Sequence, residues 1–242
     1  MKPTGHFSAD VDSTRPAGHI NLVSTSSSPT RRADHVRNRA ALIVAARDVF
    51  AEQGVDATID EVVRRAGFAK GTFFRHFPTK ETLIQALLAD RFTALGDVAL
   101  EINDTQPPGW ATLCLIMERV LDQVAGDRSI PELLDRGGPP VFSEEIIRAR
   151  ERLSDQIERA VSGAQVVGEV RPDLAGTDIP PILFTIAHGT ARLNATHPGL
   201  GRRYLRLFLD GIRAGETSDL GSPALTRDEL PPPGRGGCGR PH

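Results

Sequence analysis

The stretch "TIDEVVRRAGFAKGTFFRHFPTKETLIQAL", Thr58–Leu87, decides how this chain folds. Thr58 followed three residues later by Glu61 is a capping-box pattern, so a helix starts at Ile59 and carries Val62, Val63 and Ala66 as its apolar side. Gly67 stops it, because the residue that ends such a turn takes φ > 0. A second short helix then runs from Lys70 to His76 and breaks at Pro78, and a further helix opens at Thr79. Two short helices across a glycine turn are a helix-turn-helix arrangement, whose second helix enters the major groove of DNA.

The residues of the second helix divide by spacing. Phe73 and Phe77, four apart, share one face and are expected to pack on the neighbouring helices. Lys70, Gly71 and Thr72 stand at its start, where Gly71 admits a close backbone approach. Phe74, Arg75 and His76 point outward, and Lys80 lies in the first turn of the next helix, a position that favours phosphate.

Outward from this stretch the reading is helical throughout. The helix before it, "ADHVRNRAALIVAARDVFAEQG", places Asp34 near its start, Leu42, Ile43, Ala46, Val49 and Phe50 on one side, and Gly54 at its end. The helix after Thr79 runs past Arg91 with Leu83, Ile84, Leu87, Leu88, Phe92 and Leu95 buried. Beyond it come Trp110–Gly126, a short turn at Ile130–Leu134, a long amphipathic helix capped by Ser143, and two closing helices joined across Pro198-Gly199. The expectation is an all-α fold of about nine helices with no sheet. The divisions expected are an arm without fixed structure at 1–32, a helix-turn-helix domain at 33–82, a regulatory domain at 83–215 and a tail without fixed structure at 216–242, both ends being rich in Gly, Pro and Ser.

Composition narrows the function. The 242 residues are 39% hydrophobic and 25% charged, with a formal net charge of −2. Arg31–Lys80 holds ten basic against six acidic side chains, a cationic block on an otherwise acidic chain that suits a polyanion. No apolar run is long enough to span a bilayer and no secretory leader is visible, so a cytoplasmic protein without membrane contact is expected. Cys114 and Cys238 fit neither a structural disulfide nor a zinc site. No carboxylate pair, nucleophile–base set or phosphate-binding glycine loop appears, so neither enzyme activity nor a cofactor nor a metal is expected.

The order and spacing of Thr58, Ala66-Gly67, Gly71-Thr72, Phe73-Phe74, His76-Phe77 and Lys80-Glu81 closely resemble the N-terminal domain of TetR-family transcriptional regulators. The helices that follow look like that family's regulatory domain, of an actinobacterial subgroup. The resemblance implies a repressor that leaves a palindromic operator when a small-molecule effector binds. It implies phosphate contacts for Thr58, Thr72, Phe74, His76 and Lys80, and base-edge contacts for Lys70, Gly71 and Arg75. Many members carry Tyr where this chain has Phe74, which has no hydroxyl for a phosphate. The resemblance also implies a homodimer, and the apolar faces of the last two helices suit pairing with a second copy.

For the effector, the candidates are Phe92, Met117, Phe184 and His188, although His188 on an apolar helix reads first as a core or interface histidine. The competing function is a helical small-molecule-binding protein whose helix-turn-helix does not bind DNA.

Overall fold

The computed structural model describes residues 29–54, 56–126, 142–191, 193, 196–215, 218–227 and 229–230. Among them are eight α-helices and no strand. The N-terminal lead, the turn expected at Ile130–Leu134, Cys238 and the last twelve residues lie outside them.

Helix α1 spans Pro29–Gln53. It begins ahead of the expected start at Asp34, since proline is tolerated in a first turn, and Asp34 instead pairs with Arg37. Gly54, at φ 81°, ends it. Helix α2 spans Ile59–Ala66, and the capping box forms as expected: the Glu61 N–H donates to the Thr58 hydroxyl at 3.3 Å and the Thr58 N–H to the Glu61 carboxylate at 2.6 Å. Gly67 takes φ 71°, and the Phe68 N–H closes the turn on the Val63 carbonyl at 2.9 Å.

Helix α3 spans Lys70–His76, and helix α4 spans Lys80–Thr105 with Thr79 and Thr82 capping one another. Leu42, Val49, Phe50, Val62, Phe73, Phe77 and Leu83 form one buried cluster, so both phenylalanines hold α3 to α1, α2 and α4 as their spacing predicted.

The second domain consists of α5 (Trp110–Gly126), α6 (Glu144–Val166), α7 (Ile179–Thr190) and α8 (Leu200–Ile212), packed with the C-terminal part of α4. Helices α4 and α6 run parallel: Arg152 pairs with Asp97 at 3.1 Å, and Arg159, two turns on, pairs with Asp104 at 2.7 Å. Between these rungs the Asn103 amide donates to the Gln156 carbonyl at 2.9 Å. Gly96 of α4 faces Leu153 of α6, where a Cβ would make ordinary van der Waals contact, 3.5 Å from the Leu153 backbone nitrogen. At Gly176 the fold needs glycine outright, because a Cβ there would meet the Glu158 backbone at 2.9 Å. Glu158 itself accepts from the Gly176 N–H at 3.0 Å, so it caps that turn.

A small cluster of Leu88, Ala89 and Ile146 bridges the two larger cores, with Ile84 and Phe92 packed against it. Helix α4 therefore belongs to both domains. Part of the C-terminal segment is also attached: buried Arg171 grips Asp173 at 2.6 and 2.8 Å and donates to the Ser218 carbonyl at 2.8 Å, and Arg227 pairs with Asp155 of α6 at 2.5 Å. Composition predicted no fixed structure from 216 onward. The attachment depends on partners that are remote in the chain.

Candidate nucleic-acid interface

Helix α3 buries Phe73 and Phe77 and leaves Lys70, Gly71, Phe74 and Arg75 exposed, with Thr72 and His76 half-buried. Phe74 and Arg75, which spacing assigned to the outside, are exposed, whereas His76, expected to point outward, is half-buried against α1. Phe74 is 43% exposed, and its ring stands edge-to-face with that of Phe73, centroids 5.4 Å apart. A Cβ on Gly71 would meet open space. Its φ is not left-handed either, so nothing inside the protein requires glycine there.

The charged groups are less free than the sequence suggests. The Lys70 ammonium pairs with Asp60 of α2 at 2.8 Å. Arg75 donates to the Thr72 hydroxyl at 3.2 Å, and Lys80 lies over the Phe50 ring at 5.6 Å from its centroid. The Thr58 hydroxyl donates to the Glu61 carboxylate at 2.8 Å. Glu61 is held below the usual carboxylate range by the Thr58 N–H first and the Thr58 hydroxyl next, with Arg64 and Lys80 adding positive field. Thr58 and Lys80 thus meet around one anion that belongs to the protein itself.

His76 packs on His35 of α1, a residue the motif did not single out, with 4.2 Å between ring centroids. Burial, then the fields of His35, Arg75 and Arg39, push its pKa below 6.5. No local sequence signal marks His35, because the contact is made by the packing of α1 against the end of α3.

The four effector candidates are not gathered in one place. Met117 is fully buried in the core of the second domain, and Phe92 is half-buried where that core meets the bridging cluster. Phe184 and His188 stack on each other on α7, centroids 5.8 Å apart, with His188 exposed. Among the described residues no group of three or more metal-ligating side chains occurs. Burial pushes the Cys114 thiol up to about 11, so it is a poor nucleophile at neutral pH. No helix among the described residues is long and apolar enough to cross a membrane.

Residues 42–87 match the family model of bacterial regulatory proteins, tetR family. The HTH-type transcriptional regulator SrpR of Pseudomonas putida is 31% identical over 150 residues, 57% of this chain and 66% of SrpR. The uncharacterised regulator TtgW of the same species is 43% identical over 60 residues, 24% of this chain and 45% of its own length. The chain thus spans less than two thirds of both curated relatives. Among solved structures, a TetR transcription regulatory protein from Mycobacterium vanbaalenii superposes with a TM-score of 0.56 at 29% identity, covering 76% of this chain and 99% of that one. The regulator FadR of Bacillus subtilis superposes with a TM-score of 0.58 over 72% of this chain and 98% of its own, at 18% identity, which is a likeness of fold. Residues 42–87 thus carry the helix-turn-helix domain of the tetR family of bacterial regulatory proteins, and the two-domain helical fold around it is similar to that of solved TetR regulators.

Proposed function

We propose that this protein is a sequence-specific operator-binding repressor, working in the cytoplasm and released by a small-molecule effector. The observation that carries the reading is the exposed start of α3. Lys70 and Arg75 flank a glycine with open space above it, beside an exposed apolar ring, Phe74. Such a surface suits a groove wall, where cations meet phosphate and base edges and a bare backbone allows close approach. Thr58, Thr72, Phe74, His76 and Lys80 would contact the phosphate backbone, and Lys70, Gly71 and Arg75 the bases. The helix-turn-helix domain is taken as 33–82 and the regulatory domain as 83–215.

The protein would act as a homodimer through α7 and α8, where Tyr204 is 46% and Leu207 59% exposed. Two copies of α3 would then meet half-sites about 34–36 Å apart on a pseudo-palindromic operator. An effector held in the α5–α7 domain, and preferring the spacing that does not fit DNA, would shift the population off the operator. Helix α4, shared by both cores, carries that shift. The Bacillus subtilis neighbour was solved with stearoyl-CoA. We take from it that a regulatory domain of this fold can hold a long apolar ligand, which makes acyl thioesters a first set to screen by melting shift. The actinobacterial subgroup stays our inference from the regulatory sequence.

Selection from random double-stranded DNA tests this reading. A pseudo-palindrome should be enriched, and log affinity for it should fall linearly with log salt. Lys70→Ala, His76→Ala and Lys80→Ala should each weaken binding with the fold intact. No enriched sequence, or an affinity indifferent to salt, would leave a helical small-molecule-binding protein without DNA activity.

A further inference from the structure

The two domains are joined by more than α4. Arg39, midway along α1, donates from one guanidinium nitrogen to both carboxylate oxygens of Glu145, at 3.1 and 3.4 Å. Glu145 stands in the first turn of α6. The same guanidinium lies over the Phe77 ring, 5.4 Å from its centroid, and Phe77 is the residue on which α3 ends. Its charge also reaches His76, in the last turn of α3. One side chain thus touches the end of the groove-facing helix and the start of a regulatory helix.

The pairs Arg37–Asp34, Arg65–Glu52 and Lys70–Asp60 close within the helix-turn-helix domain. Arg47–Asp90 ties α1 to α4. Arg39–Glu145 instead reaches α6. Its chemistry suits a positioning role, because a planar guanidinium stacks on a ring with its face while its edge meets a carboxylate, which an ammonium cannot do. Apolar packing, such as that of Ile146 on Leu88 and Ala89, is by contrast non-directional.

We propose that Arg39 is a positioning residue: through Glu145 it sets the attitude of α3 relative to the regulatory domain, giving α6 a route to the operator-binding surface that bypasses α4. This rests on the operator-binding reading, which the test below separates from it. A displacement of the first turn of α6 would pull the guanidinium from Phe77, loosen the end of α3, and blur the spacing between the two copies of α3 in a dimer.

Glu144 supplies the control. It lies in the same turn and carries the same charge, but pairs with Arg148 of its own helix at 2.7 Å. Glu145→Gln and Glu144→Gln therefore change net charge equally, and only the first cuts the tie to α1. Affinity would be measured at fixed salt for the selected operator and for one with a base pair inserted between half-sites, with melting curves checking that every variant is folded.

Glu145→Gln should lose about two- to fivefold on the selected operator and discriminate less against the inserted one. Glu144→Gln should match the wild type on both. Arg39→Gln should lose more, since it also removes a cation near DNA, and adding Glu145→Gln to it should cost nothing further. The proposal is overturned if Glu145→Gln behaves as Glu144→Gln, or if the losses of Arg39→Gln and Glu145→Gln add. Wild-type protein that enriches no DNA overturns the operator reading, and the positioning role with it.

Discussion

The imidazole of His76 lies 4.2 Å from that of His35, centroid to centroid, and its Nδ1 is buried without a hydrogen-bond partner. Burial is the largest cause of its lowered pKa, followed by His35 of α1, Arg75 of its own helix and Arg39 of α1. The free protein therefore holds His76 neutral at pH 7. Because the folded pKa lies below the ordinary 6.5, the stability this group contributes is present above that value and is lost as pH falls below it. A phosphate beside the ring would reverse the preference and draw in a proton. Operator affinity at constant ionic strength should rise between pH 7.5 and about 6, and His76→Gln should flatten that rise. Fluorescence anisotropy with labelled operator would measure both slopes; equal slopes would remove His76 from the interface.

Gly67 and Gly71 should respond oppositely to alanine. Gly67 sits at φ 71°, so Gly67→Ala should destabilise by about 1–2 kcal/mol through the backbone alone. Gly71 is helical with open space around it, so Gly71→Ala should stabilise by about 0.5–1 kcal/mol. The same substitution should weaken operator binding, because the methyl group occupies the line of approach. Urea melts beside gel shifts would read the two effects, and unchanged affinity in Gly71→Ala would mean that this surface faces no DNA.

The Lys70–Asp60 pair makes a competitor for DNA out of the protein's own acid. Both side chains are more than half exposed, so the pair contributes little to folding. Asp60→Asn should raise operator affinity a fewfold, whereas Lys70→Ala should lower it and relax the preference at the base pair that Lys70 reads. Binding of each variant to single-base variants of the selected operator checks this. An unchanged base preference in Lys70→Ala would place that ammonium away from the base edges.

Leu207 and Tyr204 lie three residues apart on α8, both exposed among the described residues. Leu207→Glu should convert the dimer to a monomer in sedimentation equilibrium at micromolar concentration, since it would bury a carboxylate against an apolar surface. The monomer should bind a full operator more weakly by at least tenfold, because the second half-site no longer adds to the first. A variant that still sediments as a dimer would move the interface elsewhere.

The helix-turn-helix was legible because its signals are short-ranged. The Thr58–Glu61 box, Gly67 and Pro78 each act within a few residues, and the four-residue spacing of Phe73 and Phe77 marks the buried side of α3 before any tertiary contact exists. The effector candidates were not legible in the same way. Phe92, Met117, Phe184 and His188 carry residue types that suit a ligand, and helical periodicity cannot separate a core side chain such as Met117 from an exposed one such as His188. The attachment of the C-terminal segment escaped composition because Arg171 and Asp155, which hold it, lie far back in the chain.

By itself the sequence determined an all-helical chain with a cationic, aromatic recognition helix, since capping, turn chemistry and periodicity are local properties of the backbone. Only the tertiary structure decided how that helix is tuned: Lys70 against Asp60, His76 against His35, Arg39 between Phe77 and Glu145, and α4 parallel to α6 across Gly96. The reason is physical. Which charge lies beside which, and how closely two helices approach, depends on the docking of elements distant in sequence, and a pattern repeating every three or four residues carries no record of it.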